Sequence, residues 1–244
     1  MALFDALLEL ADDHLVLGHR VSEWCGHAPM LEEDLAMPNM ALDVIGTARN
    51  LYDYAGKVEG KGRDEDDLAY LRGEREYRNL LLVERPNEDF AHTMLRQLYF
   101  AAFMHPYWTA ALESPDETVR GIAGKAVKEM AYHIRHTGEW VIRLGDGTEE
   151  SARRMRDAVT ALAIYVDELF EEGAGEGLDA LPDRAALRPE WEATIKRIFD
   201  EAGLEQVTSP FPQSGGRDGR HGEGLGHMLA EMQSVHRAHP GATW

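Results

Sequence analysis

The chain has 244 residues, a single cysteine and a formal net charge of −19 with pI near 4.9. That length suits one large domain whose core buries roughly three quarters of the surface the unfolded chain exposes. One cysteine excludes an intrachain disulfide and a cysteine-built metal or iron–sulfur site, and the acidic balance disfavours phosphate backbones and anionic lipid as partners.

The first residues, MALFDALLELADDH, carry no Lys or Arg ahead of the apolar positions and include Asp5 and Glu9, which argues against a secretory signal. No run of about eighteen apolar residues occurs, so no transmembrane helix is expected, and a cytoplasmic protein is. Leu3, Leu7, Leu10, Leu17, Val21 and Trp24 recur at helical spacing, with His14 the one polar member of the stripe, and predict a first helix over 3–25. After Gly26 and Pro29, a second helix presents Met37, Met40, Ala41, Val44, Ala48, Leu51 and Ala55 and closes at Gly56. A short turn between two long helices makes an antiparallel pair.

KVEGKGRDED at 57–66 reads as a charged loop, and a short helix should lie within the segment DLAYLRGEREY that follows. The stretch to Pro86 is expected to be irregular. From a cap at Asn87 or Asp89 a third long helix runs toward Glu113 and is apolar almost all round, so it sits inside. Pro106 predicts a kink or break near Ala102 to His105.

Ser114, Pro115 and Glu117 open a fourth helix whose inner face is Val119, Ile122, Ala126, Met130, His133, Thr137 and Val141. Thr148 caps a fifth reaching about Glu172. A short helix around Trp191, a Gly-rich stretch at 208–226 that composition marks as mobile, and a last short helix complete the chain. The expectation is one all-α domain over 1–244, with a bundle at about 3–144 and accessory helices at about 148–172, 189–202 and 225–237.

A bundle of this type holds two metals when two helices each supply a Glu and the other two each supply a Glu-x-x-His pair, since residues at i and i+3 project toward one point. No Glu-x-x-His occurs anywhere in the sequence. The second helix reads Asp43-Val44-Ile45-Gly46, where glycine offers no ligand. In the fourth, Glu129 is followed at i+3 by Tyr132, and His133 is displaced by one residue, about 100° around the axis. The third has no Asp or Glu from Phe90 to Leu112; the nearest acids, Glu88, Asp89 and Glu113, lie at its ends.

Two readings of the remaining polar residues stand side by side. His14, Asp43, Glu129, His133 and His136 could converge as an unorthodox metal or acid–base site, or form a satisfied buried network. His236 and His239 are a weaker ligand pair. Cys25, beside Trp24 and His27, has no identifiable base and reads as a buried small apolar residue. Nucleophile-elbow, phosphate-loop and dinucleotide signatures are absent.

SEWCGHAPMLEED at 22–34, NMALDVIGTARNLYDYAG at 39–56, RGEREYRNLLLVERPN at 72–87 and RHTGEWVIRLGDGTEES at 135–151 resemble the PaaC family from about residue 5 to the final helix. The resemblance implies a ferritin-like four-helix bundle acting as the non-catalytic subunit of a bacterial ring epoxidase for phenylacetyl-CoA. It further implies no cofactor in this subunit, a homologous catalytic partner, PaaA, holding the di-iron site, a small bridging subunit, PaaB, and a reductase. A homodimer is the assembly considered for the isolated chain. The interface is expected on the first two helices, with Trp24, Met30 and Leu31 as anchors. The rival readings are a metal-binding enzyme using the histidine-rich residues and an unrelated helical adaptor.

Overall fold

A computed structural model describes residues 1–242. Four long helices form the body: α1 (Ala2–Ser22), α2 (Leu31–Glu59), α5 (Phe90–Ala111) and α6 (Glu117–Gly145). Between the two pairs lie the short helices α3 (Glu65–Tyr70) and α4 (Leu81–Glu84). After them come α7 (Glu149–Leu162), α8 (Arg188–Ala202), α9 (Glu223–Met232) and α10 (Ser234–Ala238). No strand occurs among the described residues, and the fold is all-α.

Short links set the pairing. α1 packs along α2 and α5 along α6, each pair antiparallel across a turn of a few residues, while one long crossover through α3 and α4 joins the pairs. α2 lies beside α6, and His14 of α1 meets Phe100 and Trp108 of α5. This is the ferritin-like arrangement, with α7 and α8 laid over α5 and α6.

Helix ends follow local chemistry. Asp89 accepts from the His92 N–H at 3.0 Å to start α5, and Asp116 accepts from the N–H groups of Thr118 and Val119 at 2.9 and 3.1 Å to start α6. α5 is buried on nearly every side, as its composition requires. It runs unbroken through Pro106. The lost hydrogen bond and ring clash cost about 3 kcal/mol, whereas Phe103, Met104, Tyr107 and Trp108 around it are buried at roughly 1.5–3 kcal/mol each.

Several expectations change. α2 continues past Gly56 and ends at Gly60, which takes φ 69°. Gly56 is required for another reason: a Cβ there would lie 2.2 Å from the Arg63 carbonyl oxygen of the returning loop. The connector before Pro86 contains the turn of helix α4, because Leu82 and Val83 need burial and the segment has no strand to pair with. The helix starting at Thr148 stops at Leu162 and proceeds as two 3₁₀ turns to Phe170.

The Gly-rich stretch is packed against the body. The N–H groups of Gly215 and Gly216 donate to Glu168 Oε1 at 2.9 and 2.8 Å, and a Cβ on Gly216 would sit 2.1 Å from the Asn79 carbonyl oxygen. These glycines permit close backbone approach to a buried carboxylate, a role that composition cannot separate from flexibility.

Candidate functional site

Of the residues singled out in the sequence, Asp43, Gly46, Glu129, Tyr132, His133 and His136 lie on α2 and α6 and His14 on α1, and the structure brings only some together. His133 is fully buried in α6 and central to them. Its Nε2 donates to Asp43 Oδ2 of α2 at 3.2 Å, and its Nδ1 accepts from Gln97 Nε2 of α5 at 3.0 Å. Three helices are thus tied through one imidazole. The Thr137 hydroxyl, one turn on, donates to the His133 carbonyl at 2.7 Å.

Glu129 lies one turn before His133 and is held elsewhere. Lys125 Nζ sits 3.0 Å from its Oε1, and the Thr47 hydroxyl donates to its Oε2 at 3.5 Å. Burial pushes the Glu129 carboxyl up from its ordinary range, opposed by the Lys125 ammonium. The ammonium passes over Gly46: a Cβ at that position would lie 3.4 Å from Lys125 Nζ. Tyr132 points outward and is exposed.

His136 forms a separate pair, Nε2 donating to Glu33 Oε2 at 2.9 Å. His14 stands apart on α1, where its Nδ1 donates to the Leu10 carbonyl at 2.7 Å. Burial lowers its pKa to about 4, so the ring is neutral at pH 7. Its Nε2, the Gln97 Oε1 and the Trp108 Nε1 are buried without a partner. The five residues His14, Asp43, Glu129, His133 and His136 therefore do not converge: they divide into one imidazole-centred pair and three separate contacts. Among the described residues no group of three or more His, Cys, Asp or Glu could hold a metal ion.

Cys25 is exposed. α1 ends at Ser22, and a tight turn follows in which the Cys25 N–H donates to the Ser22 carbonyl and the His27 N–H to that of Trp24. The turn lays Trp24 back on the body, edge-on to Phe90 and with its indole N–H donating to Thr93 Oγ1 at 3.0 Å, and leaves Cys25 outside. Trp24 is therefore an internal anchor. Met30 and Leu31 are 44 % and 70 % exposed, and Leu35 and Leu42 continue the same face of α2. His236 stacks on Tyr70, and His239 is exposed.

Sequence reading passed over the most extensive polar cluster. On α1, Glu9 pairs with Arg184, Asp12 with Arg72 and Tyr52, and Asp13 with Arg217, all buried but for the partly buried Arg217. These acids join the first helix to the crossover and to the C-terminal segments. The signal was available as three carboxylates among apolar neighbours, but their partners lie 40 to 204 positions away.

A family model described as phenylacetic acid catabolic protein matches residues 1–244. The chain belongs to that family. It is 43% identical over 243 residues, 97% of each chain, to a protein of Escherichia coli (strain K12) whose name makes it a subunit of 1,2-phenylacetyl-CoA epoxidase. This member of the phenylacetic acid catabolic family thus combines ferritin-like helix pairs with the imidazole seam described above.

Proposed function

We propose that this chain is the structural subunit of the multicomponent oxygenase that epoxidises the ring of phenylacetyl-CoA. In this reading it takes no part in the chemistry and serves to support and position a homologous subunit, PaaA, that carries the di-iron centre. Its match to a subunit of that epoxidase over 97% of both chains supports membership of the oxygenase and a role in phenylacetate catabolism. The small subunit PaaB and a reductase complete the proposed assembly.

One observation carries the non-catalytic reading: α5 offers His133 the amide of Gln97 in place of a carboxylate. A di-iron bundle needs four carboxylates and two imidazoles facing one another at a common depth. Here Gly46 has no side chain to give, Glu129 is neutralised by Lys125, and Asp43 is engaged by His133. The residues present do not fit such a centre.

The exposed apolar face of α2, with Leu31, Leu35 and Leu42 within about 40° of one another around the axis, supports a helix-on-helix contact with the partner. The test is to prepare PaaA with and without this chain. Iron and epoxidation should follow PaaA, and its solubility and turnover should fall when this chain is left out or carries Leu35→Asp. A PaaA that is soluble, iron-loaded and fully active by itself would overturn the proposal.

A further inference from the structure

Arg96 of α5 is a guanidinium without a counterion. It is 1% exposed, and among the described residues no carboxylate comes within ion-pair distance of it. One terminal nitrogen donates to the carbonyl of Arg85, the other to Asn87 Oδ1 at 2.7 Å, and its Nε has no acceptor. A buried charge left this way is costly, and the usual remedy is an anion. Burial first, and then the neighbouring Arg20, lower its pKa to about 9.

Arg96 lines a cavity of about 130 Å³ whose other walls are Arg85, Glu88 and His92 on the polar side and Pro86, Leu162 and Tyr165 on the apolar side. Arg85 forms no ion pair among the described residues and lies over the Tyr165 ring, 5.1 Å from its centroid. His92 is already engaged with Asp89, its Nδ1 2.8 Å from Oδ1. Glu88 is exposed at the rim. Two guanidinium groups with no carboxylate counterion among the described residues thus share one small hollow in a protein whose net charge is −19.

The shape limits the ligand. The volume approaches the roughly 150 Å³ of an apolar cavity that admits benzene, and one side of the hollow is aliphatic and aromatic. We propose that the Arg85–Arg96 hollow is a binding site for a small organic carboxylate of about the size of a single ring, its oxygens taken by the two guanidinium groups and its apolar body laid against Pro86, Leu162 and Tyr165. The site lies between α5, α7 and the connector after α4, away from the α2–α6 seam. It is independent of whether this chain is catalytic.

Benzoate is the probe, added to the full chain, with sodium chloride at equal ionic strength as the control. Thermal unfolding should shift upward with the logarithm of benzoate concentration above Kd, by about 5 °C at a hundredfold excess. Arg85→Ala should weaken binding about tenfold, the loss of one charge-assisted hydrogen bond. Ala161 stands at the exposed edge of the hollow, and Ala161→Glu supplies an internal carboxylate without disturbing a buried position; it should abolish the benzoate shift while the variant remains folded. No shift beyond the chloride control, an equal shift in Ala161→Glu, or inorganic phosphate binding more tightly than benzoate would each overturn the proposal.

Discussion

Arg217 Nη2 donates to the buried Asp13 Oδ2 at 2.7 Å and Nη1 to Oδ1 at 2.9 Å, a two-pronged pair between residues 204 positions apart. The same guanidinium donates to the carbonyls of Glu9 and Arg78, so one side chain joins α1, the crossover and the Gly-rich segment. Replacing one partner leaves the other charged and buried. Arg217→Ala should lower stability by about 3–5 kcal/mol, read as a reduced urea midpoint, and the paired change Arg217→Met with Asp13→Leu should restore most of it.

His14 gives the protein an acid-sensitive core. Its pKa is lowered to about 4 by burial, against about 6.5 in the unfolded chain. Above the unfolded value both states are neutral and the residue contributes no pH dependence. As pH falls below about 6.5 the unfolded chain takes a proton that the folded chain refuses, so stability declines until about pH 4 and then levels, by roughly 3 kcal/mol at most. The unfolding free energy of wild type minus that of His14→Leu, taken from urea titrations between pH 7 and 4, should fall by that amount.

His221 acts in the opposite direction. Burial works against its charge, but the Glu84 carboxylate at 2.8 Å and the Tyr77 carbonyl at 3.0 Å each accept from a ring nitrogen and raise its pKa overall. A raised folded value means that its stabilisation is complete below the unfolded pKa of about 6.5 and disappears as pH rises through the folded one. His221→Gln should therefore cost about 2 kcal/mol at pH 6 and progressively less in alkaline buffer. A variant whose deficit grew with pH would contradict this assignment.

Two glycine substitutions should move stability in opposite senses. Gly216→Ala forces a Cβ to within 2.1 Å of the Asn79 carbonyl oxygen and should destabilise by about 1–3 kcal/mol. Gly121 is exposed in the first turns of α6 with nothing within 4 Å of the position a Cβ would take. Gly121→Ala should stabilise by about 0.5–1 kcal/mol, since alanine loses less backbone freedom on entering a helix. Melting temperatures of the two variants give the comparison directly.

The long helices were legible because their cause is local. Periodicity in Leu7, Leu10, Leu17 and Val21, or in Val119, Ile122, Ala126 and Met130, records which side of each helix faces the core, and caps such as Asp116 and Thr148 act within three residues. Short links then fix antiparallel pairs. The absence of Glu-x-x-His and of acids in the middle of α5 is likewise a property of the chain alone.

What each polar group touches was decided only by folding. His133 could be assigned to the inner face of α6, but whether it met Asp43, Glu129 or His14 depended on helix crossing and on which rotamers burial allowed. The Gly-rich segment had the composition of a mobile loop and became ordered because Glu168, Asp13 and Glu84 need partners where water cannot reach. Cys25 was turned outward by the tight turn after α1, and Arg96 enclosed by a connector and a helix far along the chain. Hydrophobic periodicity averages over many residues and survives error at any one position; a hydrogen bond or an ion pair is a single contact between two distant points, and nothing in either residue's neighbourhood along the chain specifies the other.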